Sequence, residues 1–252
     1  MINMAKSELL KYKRTFARRI IVFAPLLFIL IALPQKLFMP ADYLRPWQLL
    51  LDQVYNWWPV LFVPLGTALL ASLVQLQEKK AGNYRNMRVH NIPAFLIWIG
   101  KVAGMAYHMF LATWILFAAV IASGWMTAGG AIPWIKIFAG GFAIWLTSLA
   151  VIPLQLWAAA WKGTFFSMIL GLAGLIAGVM AASDPYWIYV PWSWPTRLMS
   201  AIIGVHPNGI ALNPSDPLRD PSVIPVGIAV SFVAFIMFTL LTAVWFERRE
   251  AS

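Results

Sequence analysis

The chain of 252 residues has no cysteine, only nine acidic residues and three histidines, and its charged residues of both signs make up just 11%. The missing cysteine excludes disulfides, thiolate-ligated metals and thiol chemistry, and is silent on compartment. The shortage of charge excludes a water-soluble domain, for which about 25% charged residues is usual. No GxxxxGK[ST] run is present to cradle nucleotide phosphates, and no HExxH supplies paired zinc ligands. His90, His108 and His206 are scattered, and no two acids form a close pair inside an apolar stretch. That distribution argues against a membrane enzyme, which needs clustered carboxylates or histidines.

Apolar residues fill the space: 61% of the chain is hydrophobic. At about 20 residues per span, this implies an all-α integral membrane protein of about six to eight helices. The net charge of +10 suits cytoplasmic loops and anionic headgroups, since no soluble basic domain is present to bind nucleic acid. Six basic residues precede the first apolar run, so that run reads as a retained span and not a cleaved signal peptide.

In residues 1–19, Ile2, Ala5, Leu9, Tyr12 and Phe16 recur at spacings of three and four, with lysines and arginines on the other faces. The pattern fits an amphipathic interfacial helix or, equally, a basic cluster that only sets orientation. Spans are expected at about 20–38, 57–76, 94–123, 134–160, 165–182 and 225–246. Residues 40–56 read as an exposed interfacial loop. Trp57 and Trp58 open the second span, as headgroup anchors or as substrate contacts. His108 lies inside the third span, where an ionisable group is either functional, here as a substrate-contact candidate, or a satisfied packing residue. Lys101, about 10 Å into that span, is expected to snorkel back to the headgroups. Gly174 and Gly178 form a GxxxG pair, read as packing within the subunit in preference to a dimer seam.

Two breaks between spans stand out. Residues 77–93, QEKKAGNYRNMRVHNIP, carry Lys79, Lys80, Arg85 and Arg88 against a single Glu78. Residues 183–224 are long and rich in Pro, Trp and Gly, which suits an outer segment in the membrane interface with possible re-entrant helices, and Trp192 and Trp194 within it are further substrate-contact candidates. Six spans with both termini cytoplasmic place thirteen of the nineteen lysines and arginines inside. The whole chain, 1–252, reads as one transmembrane domain without a nucleotide-binding domain.

This layout resembles an ABC type-2 transporter permease. The resemblance rests on LLKYKRTFARRIIVFAPLL leading into the first span, on Glu78, Asn83 and Tyr84 followed by Lys101, and on PWSWPTRLM with IIGVHPNGIALNPSDPL before the last span. Within that family the chain most resembles the small permeases of lantibiotic-immunity and bacitracin-resistance exporters. It departs from them after the basic loop, where Pro93 runs directly into apolar AFLIWIG without further basic residues.

The resemblance implies the membrane half of an ATP-driven exporter in a bacterial cytoplasmic membrane. This chain would work with a second permease subunit, identical or homologous, and two cytosolic ATPase subunits. It would bind no cofactor itself, ATP and Mg belonging to the partner ATPase, and its cargo would be an amphipathic antimicrobial peptide. Residues 77–93 would be the coupling loop, in which Gln77, Glu78, Lys80, Asn83 and Arg85 offer polar contacts and Tyr84 an apolar anchor. Without the resemblance, the same loop is simply a positive-inside signal. Two other classes stay open: a membrane adaptor or sensor subunit that binds a cytosolic protein, and a membrane enzyme.

Overall fold

The computed structural model describes residues 11–12, 15–38, 40, 45–80, 82 and 93–251. Within them almost all backbone is helical, as long apolar runs require when no water is present to satisfy free N–H and C=O groups. Helix α1 spans Phe16–Phe38 with Pro25 and Pro34 inside it. It begins four residues before the expected span because Arg18 and Arg19 are exposed on its surface and do not interrupt the helix.

Residues 47–57 are not the interfacial loop expected for 40–56. Trp47–Trp57 forms helix α2, which continues through a π-helical segment, Trp58–Phe62, into α3 (Val63–Lys80). Its polar residues recur every fourth position, so Gln48, Asp52 and Asn56 share one face and can be buried together. The π turn has a local cause. Pro59 and Pro64 each lack an N–H and crowd the carbonyl four residues back, and the Val63 N–H reaches five residues back to Trp58 O.

Helix α4 (Ala94–Thr127) is about 51 Å long by its residue count. At its end Ala128–Gly129 (β2) pairs in parallel with Arg45–Pro46 (β1), a two-residue exception to the helical fold. The expected fourth span is bent by 42° between α5 (Trp134–Ser148) and α6 (Val151–Lys162). Pro153 accounts for the break: its ring excludes the Leu149 carbonyl from a normal helical bond, and Ile152 N–H bonds that carbonyl at 3.1 Å instead. Gly163, at φ +85°, turns the chain into α7 (Thr164–Ala182).

The segment before the last span is folded. A 3₁₀ turn, Pro185–Tyr189, leads to α8 (Ser193–Ile202), whose residues Ser193 to Ser200 are all buried, and a second 3₁₀ turn, Pro217–Arg219, precedes α9 (Val223–Ala251). α8 packs against α5 and α7 and so closes one end of the bundle.

Among the described residues, five helices are long and apolar enough to cross a membrane, or six if the bent α5–α6 pair counts as one span. The bundle has two unlike ends. Lys80, Lys162 and Arg249 mark a basic end, and α8 with its aromatic flanks marks the far end. The core between them includes the fully buried Tyr55, Trp98, Phe117 and Phe246.

Candidate functional site

Among the described residues, three places carry chemistry. At the basic end, the last turn of α3 points Glu78 inward. Its Oε1 accepts from Lys101 Nζ and from Lys11 Nζ, each at 2.6 Å, with the Lys101 side chain fully buried. Lys101 therefore does not snorkel: a carboxylate brought alongside by the antiparallel helix neutralises it inside the bundle, which the distance to the headgroups along its own helix cannot reveal. About two turns further along α4, the His108 ring stacks on Tyr12 at 3.7 Å between centroids, and its Nδ1 lies 2.7 Å from Gly104 O. Lys11 and Tyr12 thus tie the chain before α1 to α3 and α4 by two adjacent contacts.

At the same end, Gln77 is half-buried while Lys79 and Lys80 are exposed. Asn83, Tyr84 and Arg85, the other coupling candidates, lie outside the described residues, as do residues 1–10 of the expected interfacial helix.

At mid-depth a cavity of about 340 Å³ opens between α1, the π segment, α3, α4 and α5. Trp58 lines it together with Phe62, Met109 and Trp145. Trp58 stacks on Phe62 at 5.3 Å, while its neighbour Trp57 is 45% exposed and turned outward. The three hydroxyls on the wall are already used. Thr67 donates to Val63 O, Thr113 to Met109 O and Ser148 to Ile144 O.

At the far end, the polar face of α2 grips the chain that follows α8. Gln48 Nε2 donates to Ile203 O at 2.9 Å and to Asp52 Oδ1 at 2.7 Å, and Lys136 Nζ donates to Gln48 Oε1 at 2.7 Å. Asn56 Nδ2 donates to Pro207 O at 3.0 Å and to His206 O at 3.2 Å. Arg197 Nη1 donates to Leu218 O at 2.7 Å, and burial pushes its guanidinium down from its ordinary value while Asp220 and Asp216 oppose that shift. Asp52 is among the residues that make 40–56 look like a loop, whereas the spacing of four shared by Gln48, Asp52 and Asn56 is the signal of a helical face.

The five substrate-contact candidates do not gather in one place. Trp57 and Trp58 are at the π turn, and His108 is packed on Tyr12 near the basic end. Trp194 is buried, its Nε1 bonded to Ile188 O at 3.0 Å. Trp192 lies on Gly174 and Gly178, where a Cβ on Gly178 would come within 2.8 Å of the Trp192 carbonyl oxygen. The GxxxG pair is therefore filled from within the subunit.

No curated protein and no solved structure matches the chain. Residues 4–178 match the family model described as ABC-2 family transporter protein. That stretch exceeds half the chain and takes in both the Glu78 ion pairs and the mid-depth cavity, while α8 and α9 lie beyond it. The chain belongs to the ABC-2 family of transporter proteins, multi-pass membrane components of ABC transporters.

Proposed function

We propose that this permease is the membrane subunit of a bacterial exporter that removes an amphipathic antimicrobial peptide, of the lantibiotic or bacitracin type, from the cytoplasmic membrane. A separate ATPase pair drives it through residues 77–93, and a second permease subunit completes the pathway. Both termini and that loop lie on the cytoplasmic side.

The observation that carries the reading is the Lys11–Glu78–Lys101 arrangement at the edge of the loop. A loop can drive a bundle only if its displacement reaches the helices. Charge-assisted bonds at 2.6 Å make Glu78 a stiff joint between the end of α3, the start of α4 and the chain before α1. Gln77, Lys80, Asn83, Tyr84 and Arg85 are then the residues offered to the ATPase, with Glu78 acting behind them. For the cargo, exposed Trp57 is better placed than Trp192 and Trp194, whose packing supports a structural role.

Purification of the tagged chain from its native host tests the reading. A co-purifying ATPase is expected, together with ATP-dependent protection against the peptide that is lost when the ATPase is inactivated. Glu78→Ala combined with Tyr84→Ala, made together with Lys101→Met so that no buried charge is left unpaired, is expected to keep insertion and ATP hydrolysis while abolishing protection. Protection that persists without the ATPase sinks the proposal.

A further inference from the structure

We infer that the mid-depth cavity is a binding site for one hydrocarbon chain of a bilayer lipid, with the lipid headgroup left outside the bundle. The inference goes beyond peptide export and does not depend on it.

The first argument is the chemistry of the wall. Its lining residues include no charged side chain, and its only hydroxyls, on Thr67, Thr113 and Ser148, all donate to carbonyls of their own helices. The indole N–H of Trp145 is likewise bonded, to Ala106 O at 3.1 Å. A polar ligand entering would lose its hydration for few partners in return. Water is poorly held in a space with so few polar groups. A peptide main chain fits badly for the same reason, because most of its amides would go unsatisfied. A chain without polar atoms fits best.

The second argument is location. The walls come from helices long and apolar enough to cross a membrane, α5 together with α6, so hydrocarbon is the surrounding solvent. Leu61 is 39% exposed, and half-buried Leu65 and Leu69 continue the rim, so the cavity opens sideways towards that solvent. An empty apolar space forfeits dispersion contacts along its whole wall, and a chain from the adjoining lipid restores them.

The third is that the space is built by specific features. The π turn contributes Trp58, Leu61 and Phe62 to the wall, and such turns are rare within helices. Gly66 adds to it: a Cβ placed there would meet nothing within 4 Å, so this glycine leaves room that a larger residue would fill. The volume of about 340 Å³ falls at the small end of ligand pockets, roughly 300–1,000 Å³, which suits one chain and not a whole lipid.

The test uses the full chain in vesicles of phosphatidylethanolamine and phosphatidylglycerol doped with a phospholipid that carries a diazirine on its acyl chain. After photolysis, proteolysis and mass spectrometry, labelling is expected around Met109, Thr113 and Met168. Gly66→Leu and, from α7, Met168→Trp are each expected to lower labelling at Met109 and Thr113 about tenfold. Labelling of exposed Phe232 and Val233 on α9 should be unchanged, which reports the ordinary lipid contact of a folded protein. The proposal is overturned if the lining residues are unlabelled in the parent, or if either variant folds and retains the parent's labelling there. A second arm adds an amphipathic peptide bearing a photoreactive leucine; if it labels the same residues and displaces the lipid label, the occupant is a cargo side chain and the lipid assignment fails.

Discussion

Glu78 shows how much one side chain decides at the basic end. Its side chain and that of Lys101 are 5% and 0% exposed, so neither charge is stabilised by water. Removing one partner of such a pair costs about 3–5 kcal/mol, whereas replacing both by apolar groups of similar shape is close to neutral. Glu78→Gln is therefore expected to lower stability by about that amount, and Glu78→Gln with Lys101→Met to recover most of it, as read by thermal unfolding in detergent. A double variant no more stable than Glu78→Gln alone would show that the pair contributes nothing as a unit. From the sequence, Glu78 and Lys101 were both singled out, and what could not be read was that they meet. Spacing along one helix gives the depth of Lys101, while its partner lies 23 residues back on another helix. Similarly, His108 was legible as either functional or packed, and the Tyr12 ring that covers it belongs to a segment expected at the membrane surface.

Helix α2 is the element that sequence reading missed, and its polar face was the cause. Asp52, Asn56 and Gln48 look like loop residues when an apolar run is the only guide to a span. Their spacing is that of one helical face: Gln48 and Asn56 bond the chain after α8, and Asp52 holds the Gln48 amide. The long spans were legible because apolar runs of that length permit little else, and the GxxxG pair on α7 was rightly read as packing within the subunit, although Trp192 fills it. Asn56 supplies a direct check on the role of α2 as an anchor. Asn56→Ala leaves the His206 and Pro207 carbonyls without their donor, at an expected cost of about 1–3 kcal/mol. The loss should be local. Faster amide hydrogen exchange is expected at His206 and Leu212, whose N–H groups bond Ile210 O and Gly204 O, with α4 and α9 unaffected. Uniform acceleration across the chain would mean that α2 supports the whole bundle and not this segment.

At the scale of the whole molecule, the number of crossings turns on the bent α5–α6 pair. Lys136 at the start of α5 bonds Gln48 at the far end, and Ala160 O near the end of α6 accepts from Arg249 at the basic end. The pair therefore runs the length of the bundle, and its two helices together measure about 40 Å against a hydrocarbon core of about 30 Å. Pro153 bends the path without turning it back. A re-entrant pair would instead leave Ala131 and Lys162 on one face of the membrane and invert everything that follows. The absence of native cysteine makes the distinction clean, because a single introduced thiol is then the only one that reacts. Ala131→Cys and Lys162→Cys replace exposed residues at the two ends of the pair. In intact cells a membrane-impermeant maleimide is expected to label Ala131→Cys and Asp216→Cys, and to reach Lys162→Cys only after the membrane is opened. Labelling of both Ala131→Cys and Lys162→Cys from outside would make the pair re-entrant. It would also conflict with the proposed placement of the Glu78 joint and its loop on the cytoplasmic side, which rests on the charge distribution.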